Sequence, residues 1–227
     1  MKIKAIIFDV DGLMADTEFY HCESVKKLMS SYGVKLSRAY LVKTVGVSSK
    51  NNFIKIKKDF GVTESLKKLL AAREKLYLKI IKASDIKVFP GLKDIFEYAK
   101  KKGIKIAVGS SSIKAQIDVV VPLLMKSAGV RISYRKYFNA VVTGSDVKNT
   151  KPAPDIYKLV SKKLGVEPEN CLVLEDSVSG VKAAKAAKMF CIAVKSEYTK
   201  NKDLVRADVI VNNLEKALKK IIKIGEK

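Results

Sequence analysis

Asp9 and Asp11 leave an apolar run, Ile6-Ile7-Phe8, with Gly12 directly after them. Two carboxylates two residues apart, at the mouth of a buried strand, concentrate negative charge. That is costly unless a cation neutralises it. The hard ion Mg2+ prefers oxygen ligands and often bridges to a substrate phosphate. The pair therefore points to a metal-dependent enzyme acting on a phosphorylated compound. Three more groups suit the same chemistry. Ser110, Ser111 and Ser112 follow Val108-Gly109, and hydroxyls and amides at a helix start bind phosphate oxygens. Lys151, before Pro152, would neutralise charge that develops during transfer. Glu175 and Asp176 add a second acidic pair, and the acids together would hold the metal. Asp9 can attack phosphorus to give an aspartyl-phosphate. Asp11 is placed to protonate the leaving oxygen and then to deprotonate the acceptor. Mg2+ and Lys151 would reduce the repulsion between nucleophile and phosphate. Each member has a plainer reading: a surface lysine, a helix N-cap, or a dipole pair at a helix start. It is the set that argues for a site.

The elements that must position these groups follow from hydrophobic pattern. Residues 2–8, 104–108, 140–143, 171–174, 191–194 and 209–211 are short continuous apolar runs. Such runs read as strands covered on both faces, hence a parallel sheet. Amphipathic helices are expected over 91–102, 154–164, 177–188 and 214–224, the first two closed by Gly103 and Gly165. Strand–helix alternation predicts a doubly wound α/β domain, whose ligands bind at the carboxyl ends of the strands. Every polar group above falls at such an end. Residues 16–84 break the alternation, showing helical periodicity through Leu66, Leu69, Leu70, Leu76, Ile80 and Ile81 and no convincing strand. They are expected to form an inserted all-helical domain between residues 1–15 and 85–227 of the core. Its joins, near 13–17 and 84–90, would act as hinges for a lid over the site. Residues 129–138 read as a loop with at most a short turn.

The chain has 227 residues, 48% of them hydrophobic, enough for a core domain with a smaller insert. No apolar run approaches the roughly 20 residues of a membrane span. The early aspartates argue against a signal peptide. Cys22, Cys171 and Cys191 lack metal-ligand spacing, and the last two read as small core residues. A reduced, cytoplasmic compartment is expected. The net charge is +22, which raises nucleic acid as a partner. The lysines are spread over predicted helix faces rather than gathered in one segment, so a lysine-rich background is the better reading. The expected partner is a small phosphorylated metabolite, with neither nucleic acid nor membrane, and the chain is expected to be a monomer. The positive field should draw anions towards the site.

In order along the chain, the stretches Phe8-Asp9-Val10-Asp11-Gly12, Val108-Gly109-Ser110-Ser111-Ser112, Lys151-Pro152-Ala153-Pro154-Asp155 and Leu174-Glu175-Asp176-Ser177 with Gly180 resemble the four motifs of the haloacid dehalogenase superfamily. The resemblance spans nearly the whole chain. It implies Asp9 as nucleophile, Asp11 as acid and base, and Ser110 and Lys151 on the phosphate, with Gly12 and Ser111 beside them. It implies Mg2+ on Asp9, Asp176 and the main-chain carbonyl of Asp11, with Glu175 adjoining, and a helical cap after the first motif. Within the superfamily the chain is similar to the branch of β-phosphoglucomutase and small sugar-phosphate phosphatases. Asp16-Thr17-Glu18-Phe19-Tyr20-His21 resembles the segment with a hinge threonine and a histidine that engages Asp11 and the sugar, and Gly46-Val47-Ser48 resembles the cap specificity loop. The mutase places an arginine directly after that loop to grip a second phosphate; this chain has Ser49 and Lys50, with Arg73 as a further cationic residue. Arg73 reads either as a substrate contact or as a solvated helix residue. A missing second grip favours hydrolysis of a small phosphomonoester. Phosphoryl transfer between two sugar hydroxyls, a non-catalytic Mg2+-binding module, and dehalogenation remain as alternatives. Asp11 argues against the last, which needs no second aspartate.

Overall fold

The computed structural model describes residues 2–45, 47–199 and 204–226. Along the chain, β1 (Ala5–Phe8) is followed by four helices: α1 (Glu18–Ser30), α2 (Arg38–Val42), α3 (Ser49–Phe60) and α4 (Leu66–Lys82). Strands and helices then alternate: α5 (Leu92–Lys101), β2 (Lys105–Gly109), α6 (Lys114–Ser127), α7 (Tyr134–Tyr137), β3 (Ala140–Val142), α8 (Asp155–Leu164), β4 (Cys171–Glu175), α9 (Val178–Ala186), β5 (Phe190–Val194), β6 (Val209–Val211) and α10 (Leu214–Gly225). Two compact units result. One holds the chain up to Asp16 and from Ile86 onward; the other is Thr17–Asp85.

In the first unit six strands form one sheet in the order β3-β2-β1-β4-β5-β6, every neighbouring pair parallel. This is the expected doubly wound α/β sheet. β1 runs between β2 and β4, and Ala5, Ile6, Ile7 and Phe8 have no exposure at all. Successive strand side chains point to opposite faces. Ile7 accordingly joins Val173 and Cys191 in a core with Ile156, Tyr157 and Val160 of α8 and Val181 and Ala184 of α9. Phe8 points the other way, its ring 5.2 Å from that of Phe96 on α5. Both faces are covered, which is why these strands carry no polar alternation. Burial of each large apolar side chain here stabilises the fold by about 1.5–3 kcal/mol. Cys22, Cys171 and Cys191 carry free thiols, and the last two are buried in the core as expected. Burial pushes the Cys171 thiol up to about 11, so it behaves as a small apolar group.

One helix of this unit was expected only at its start: the Ser110–Ser112 run reads as a helix N-cap, but the pattern marks no span for α6 behind it. Ile117, Val120, Val121, Leu124 and Met125 are buried along it, and Pro122 lies inside it. A helix this apolar shows little amphipathic contrast, and an internal proline normally signals a break. The stretch 129–138, expected as a loop with at most a short turn, holds the one-turn helix α7.

In the second unit, Ser37, Ser48 and Ser65 cap α2, α3 and α4 by accepting from the amides of Tyr40, Asn51 and Lys68. Its core gathers Val25, Leu28 and Met29 of α1, Phe53 and Ile56 of α3, and Leu69 of α4. The buried face of α4 runs Leu69, Arg73, Tyr77, Ile81 at a constant spacing of four. An arginine on that stripe is the exception that needs an explanation. No helix among the described residues is long and apolar enough to cross a membrane.

Candidate active site

Strand order reverses between β1 and β4, the position where open parallel sheets form a ligand crevice at their carboxyl ends. Asp9 follows β1, its amide bonded to the Leu174 carbonyl of β4 at 3.1 Å. Glu175 ends β4 and Asp176 follows it. Carboxylate oxygens of Asp9, Glu175 and Asp176 lie within 4.8 Å of one another, and all three residues are buried. Lys151, in the loop after β3, reaches in from the side. Its Nζ is 2.5 Å from Asp9 Oδ1 and 2.5 Å from Glu175 Oε1. It also stands 4.8 Å over the ring of Tyr157. The Tyr157 hydroxyl donates to the same Glu175 Oε1 at 2.6 Å. Glu175 Oε2 accepts from the amides of Asp176 (3.1 Å) and Ser177 (3.2 Å) and from the Ser177 hydroxyl (3.0 Å).

Two glycines make room for this packing. Gly12 has φ +78°, and a Cβ there would stand 2.3 Å from Asp176 Oδ2. A Cβ on Gly180 would stand 1.8 Å from Glu175 Oε1. At the end of β2, the Ser110 amide donates to the Val142 carbonyl and its Oγ accepts from the Ser112 amide at 3.0 Å. Ser110 is 1% exposed, whereas Ser111 is exposed. Ser112 has a different partner from the phosphate expected of it: its hydroxyl donates to Asp11 Oδ2 at 2.6 Å.

Charge decides what this cluster can do. Asp9 is raised from 3.8 to about 8, first by burial and then by Glu175 and Asp11, against the opposing pull of Lys151. Burial would lower Lys151, but Asp9 and Glu175 outweigh it and hold the ammonium charged. Asp9 is thus the partner that gives way until another cation arrives. Burial and Glu175 push the Tyr157 phenol well above its usual value, so it stays a donor. Asp9, Glu175 and Asp176 cluster, Asp11 adds its charge on Asp9, and the Lys151 ammonium pairs with Asp9 and Glu175 alone among these carboxylates. A hard divalent ion fits such an oxygen-rich, under-neutralised set.

The remaining expected residues lie in the second unit. Thr17 is buried at the start of α1. His21, one turn on, stacks on Tyr77 at 4.0 Å between ring centroids, with 4° between planes. Arg73 Nη2 meets His21 Nδ1. A guanidinium only donates, so Nδ1 is the acceptor and Nε2 carries the ring proton. The Arg73 guanidinium also lies 5.1 Å over Tyr77 and 3.5 Å from Glu74. Its side chain is 7% exposed, which corrects the reading of a solvated helix arginine. The histidine and the aromatic ring explain its place on the buried stripe. Ser49 and Lys50 open α3, the lysine exposed. Gly46 lies outside the described residues.

Sequence reasoning missed Tyr157. It lies six residues after Lys151 on the first turn of α8, where the pattern reads as core. Ser177, read only as a motif member, is a donor to Glu175. No spacing rule marks either residue.

The family model for haloacid dehalogenase-like hydrolases matches residues 6–194. The chain is 30% identical over 226 residues to the protein CbbY of Rhodobacter capsulatus, covering 96% of both chains. It is 32% identical over 189 residues to a phosphorylated carbohydrates phosphatase of Thermotoga maritima, covering 82% of both. CbbY from Rhodobacter sphaeroides, crystallised with phosphate and, as a variant, with xylulose-(1,5)bisphosphate, superposes with a TM-score of 0.81 at 26% identity, over 94% of this chain and 95% of that one.

Proposed function

The chain belongs to the haloacid dehalogenase-like hydrolases, and on that basis we propose that it hydrolyses the phosphomonoester of a small sugar through an aspartyl-phosphate on Asp9. The observation that carries this reading is the buried cluster of Asp9, Lys151 and Asp176 at the strand-order reversal. The relatives support the substrate class, since one is named for phosphorylated carbohydrates and another was solved with a sugar bisphosphate.

Asp9 and Asp176, with the Asp11 main chain, would hold Mg2+. When bound, the ion supplies positive charge that lets Asp9 ionise and offsets the charge of the phosphate. Asp9 attacks phosphorus while the ester oxygen departs with a proton from Asp11. Water then attacks the acyl phosphate, and Asp11 takes its proton. The Ser110 hydroxyl donates to a phosphate oxygen, and Lys151 balances the phosphate charge. In the second unit, His21 Nε2–H is a hydrogen-bond donor suited to a sugar oxygen, and Arg73 holds it in that tautomer.

The test is a screen of phosphate release across sugar phosphates, with Mg2+ present. Release of inorganic phosphate is expected from at least one. Asp9→Asn should lower kcat by roughly a thousandfold or more, because the nucleophile is gone. Beryllium fluoride with Mg2+ should bind wild type and spare Asp9→Asn, as read by 19F NMR. Interconversion of β-glucose 1-phosphate and glucose 6-phosphate without net release would replace hydrolysis by the mutase reading. Binding of Mg2+ without turnover of any ester would replace both by a non-catalytic module.

A further inference from the structure

We propose that Tyr157 and Glu175 form a buried support that fixes the Lys151 ammonium, and that Glu175 serves this support rather than the metal. Proximity alone groups Glu175 with Asp9 and Asp176; its lone pairs separate it from them. A carboxylate offers about four lone-pair sites. Glu175 faces five donors: the Tyr157 hydroxyl and Lys151 Nζ on Oε1, and two amides and the Ser177 hydroxyl on Oε2. No lone-pair direction remains open to a metal. Helix α9 closes the other side, since even a methyl group at Gly180 would overlap Oε1. Glu175 has no exposure.

Lys151 needs such a support. Its four-carbon stem is flexible, and an ammonium is a point charge with no geometric preference of its own. Here it is held by Asp9, by Glu175, and by the face of the Tyr157 ring. Tyr157 acts twice, through its ring on Lys151 and through its hydroxyl on Glu175. It reaches this place because Gly109, at the end of β2, leaves room: a Cβ there would stand 3.2 Å from Tyr157 Cε1. Tyr157 is therefore a positioning residue, acting on the phosphate through Lys151. This step rests on the reading of Lys151 as the phosphate cation.

Three variants test it: Tyr157→Phe, Glu175→Gln and Asp176→Asn. Mn2+ binding without substrate is read by electron paramagnetic resonance, hydrolysis of p-nitrophenyl phosphate by kcat and KM, and folding by thermal melting. Tyr157→Phe should keep Mn2+ affinity within about twofold and KM within about twofold while kcat falls about five- to tenfold. Glu175→Gln should keep Mn2+ affinity within about threefold. Asp176→Asn should weaken it more than tenfold. The support is overturned if Glu175→Gln loses Mn2+ as Asp176→Asn does, or if Tyr157→Phe leaves kcat at the wild-type value. Should Glu175→Gln fail to fold, Tyr157→Phe still discriminates. Freeing Oε1 would tighten Mn2+ binding if Glu175 were a ligand, and leaves it unchanged if it is not. A wild type that turns over no ester sinks the phosphatase reading alone. The support is then read from Mn2+ affinity and from inorganic phosphate binding, which Tyr157→Phe should weaken about fivefold.

Discussion

Ionising Asp9 is the costly event in the metal-free site, and it has a stability consequence. Its folded value, about 8, lies above the 3.8 of the free side chain. Between those pH values the folded protein keeps a proton that the unfolded chain has lost. Stability from this group is therefore present at low pH and is lost as pH rises through 8. With EDTA present, the melting temperature of wild type should fall between pH 5 and 8, relative to Asp9→Asn, which has nothing to ionise. The variant should melt several degrees higher at pH 8, given roughly 2–4 °C per kcal/mol at this size. Saturating Mg2+ should remove most of the difference. A wild-type curve parallel to that of the variant in EDTA would refute the burial cost assigned to Asp9. At this scale the sequence was legible where chemistry and pattern coincide, as for Asp9, Lys151 and Asp176, each an ionic residue at a strand end. It was silent on Tyr157, whose type and spacing suit a core helix, and on Ser112, whose bond to Asp11 depends on how two loops meet.

The helix that closes the acidic cluster, α9, is capped by a residue that also serves the site. Ser177 Oγ accepts from the Gly180 amide at 3.0 Å and donates to Glu175 Oε2 at 3.0 Å. Ser177→Ala should cost about 1 kcal/mol as a lost cap and should also lower kcat severalfold. Asn213 caps α10 by accepting from the Lys216 amide, and its side-chain amide donates to Glu215 rather than to any of the site's four carboxylates. Asn213→Ala should cost about the same stability and leave kcat unchanged. Equal rate effects in both variants, measured beside matched thermal melts, would mean that Ser177 matters only as a cap. Elements themselves were legible in proportion to their contrast. The six apolar runs became the six strands, with ends shifted by at most three residues. The helices with one apolar stripe, α5, α8 and α10, were found for the same reason. Of α6 only the start after Ser110–Ser112 was legible, because its faces differ little and Pro122 lies inside it. Arg73 was misjudged because a helical wheel cannot foresee a histidine and a tyrosine that accept a cation.

Across the whole molecule the charge of +22 sets up a field that attracts anions. Phosphate-ester hydrolysis should show it as a kcat/KM that falls severalfold between about 20 and 300 mM salt, where screening shortens the range of the field. kcat itself should change little, because the buried pairs are poorly screened. A salt-independent kcat/KM would show that the lysine background does not reach the site. The strand order has a further consequence, for biosynthesis. β1 is made first, yet its partners β2 and β4 begin at Lys105 and Cys171. About a hundred residues must leave the ribosome before the middle of the sheet can pair on one side, and many more before it pairs on the other. Throughout that interval the fully apolar Ile6-Ile7-Phe8 segment has no mate, while the local contacts of α1 to α4 can already form. Long-range pairing of this kind is slow and exposes sticky edges. The nascent chain should therefore depend on holding chaperones during the synthesis of the segment between β1 and β4.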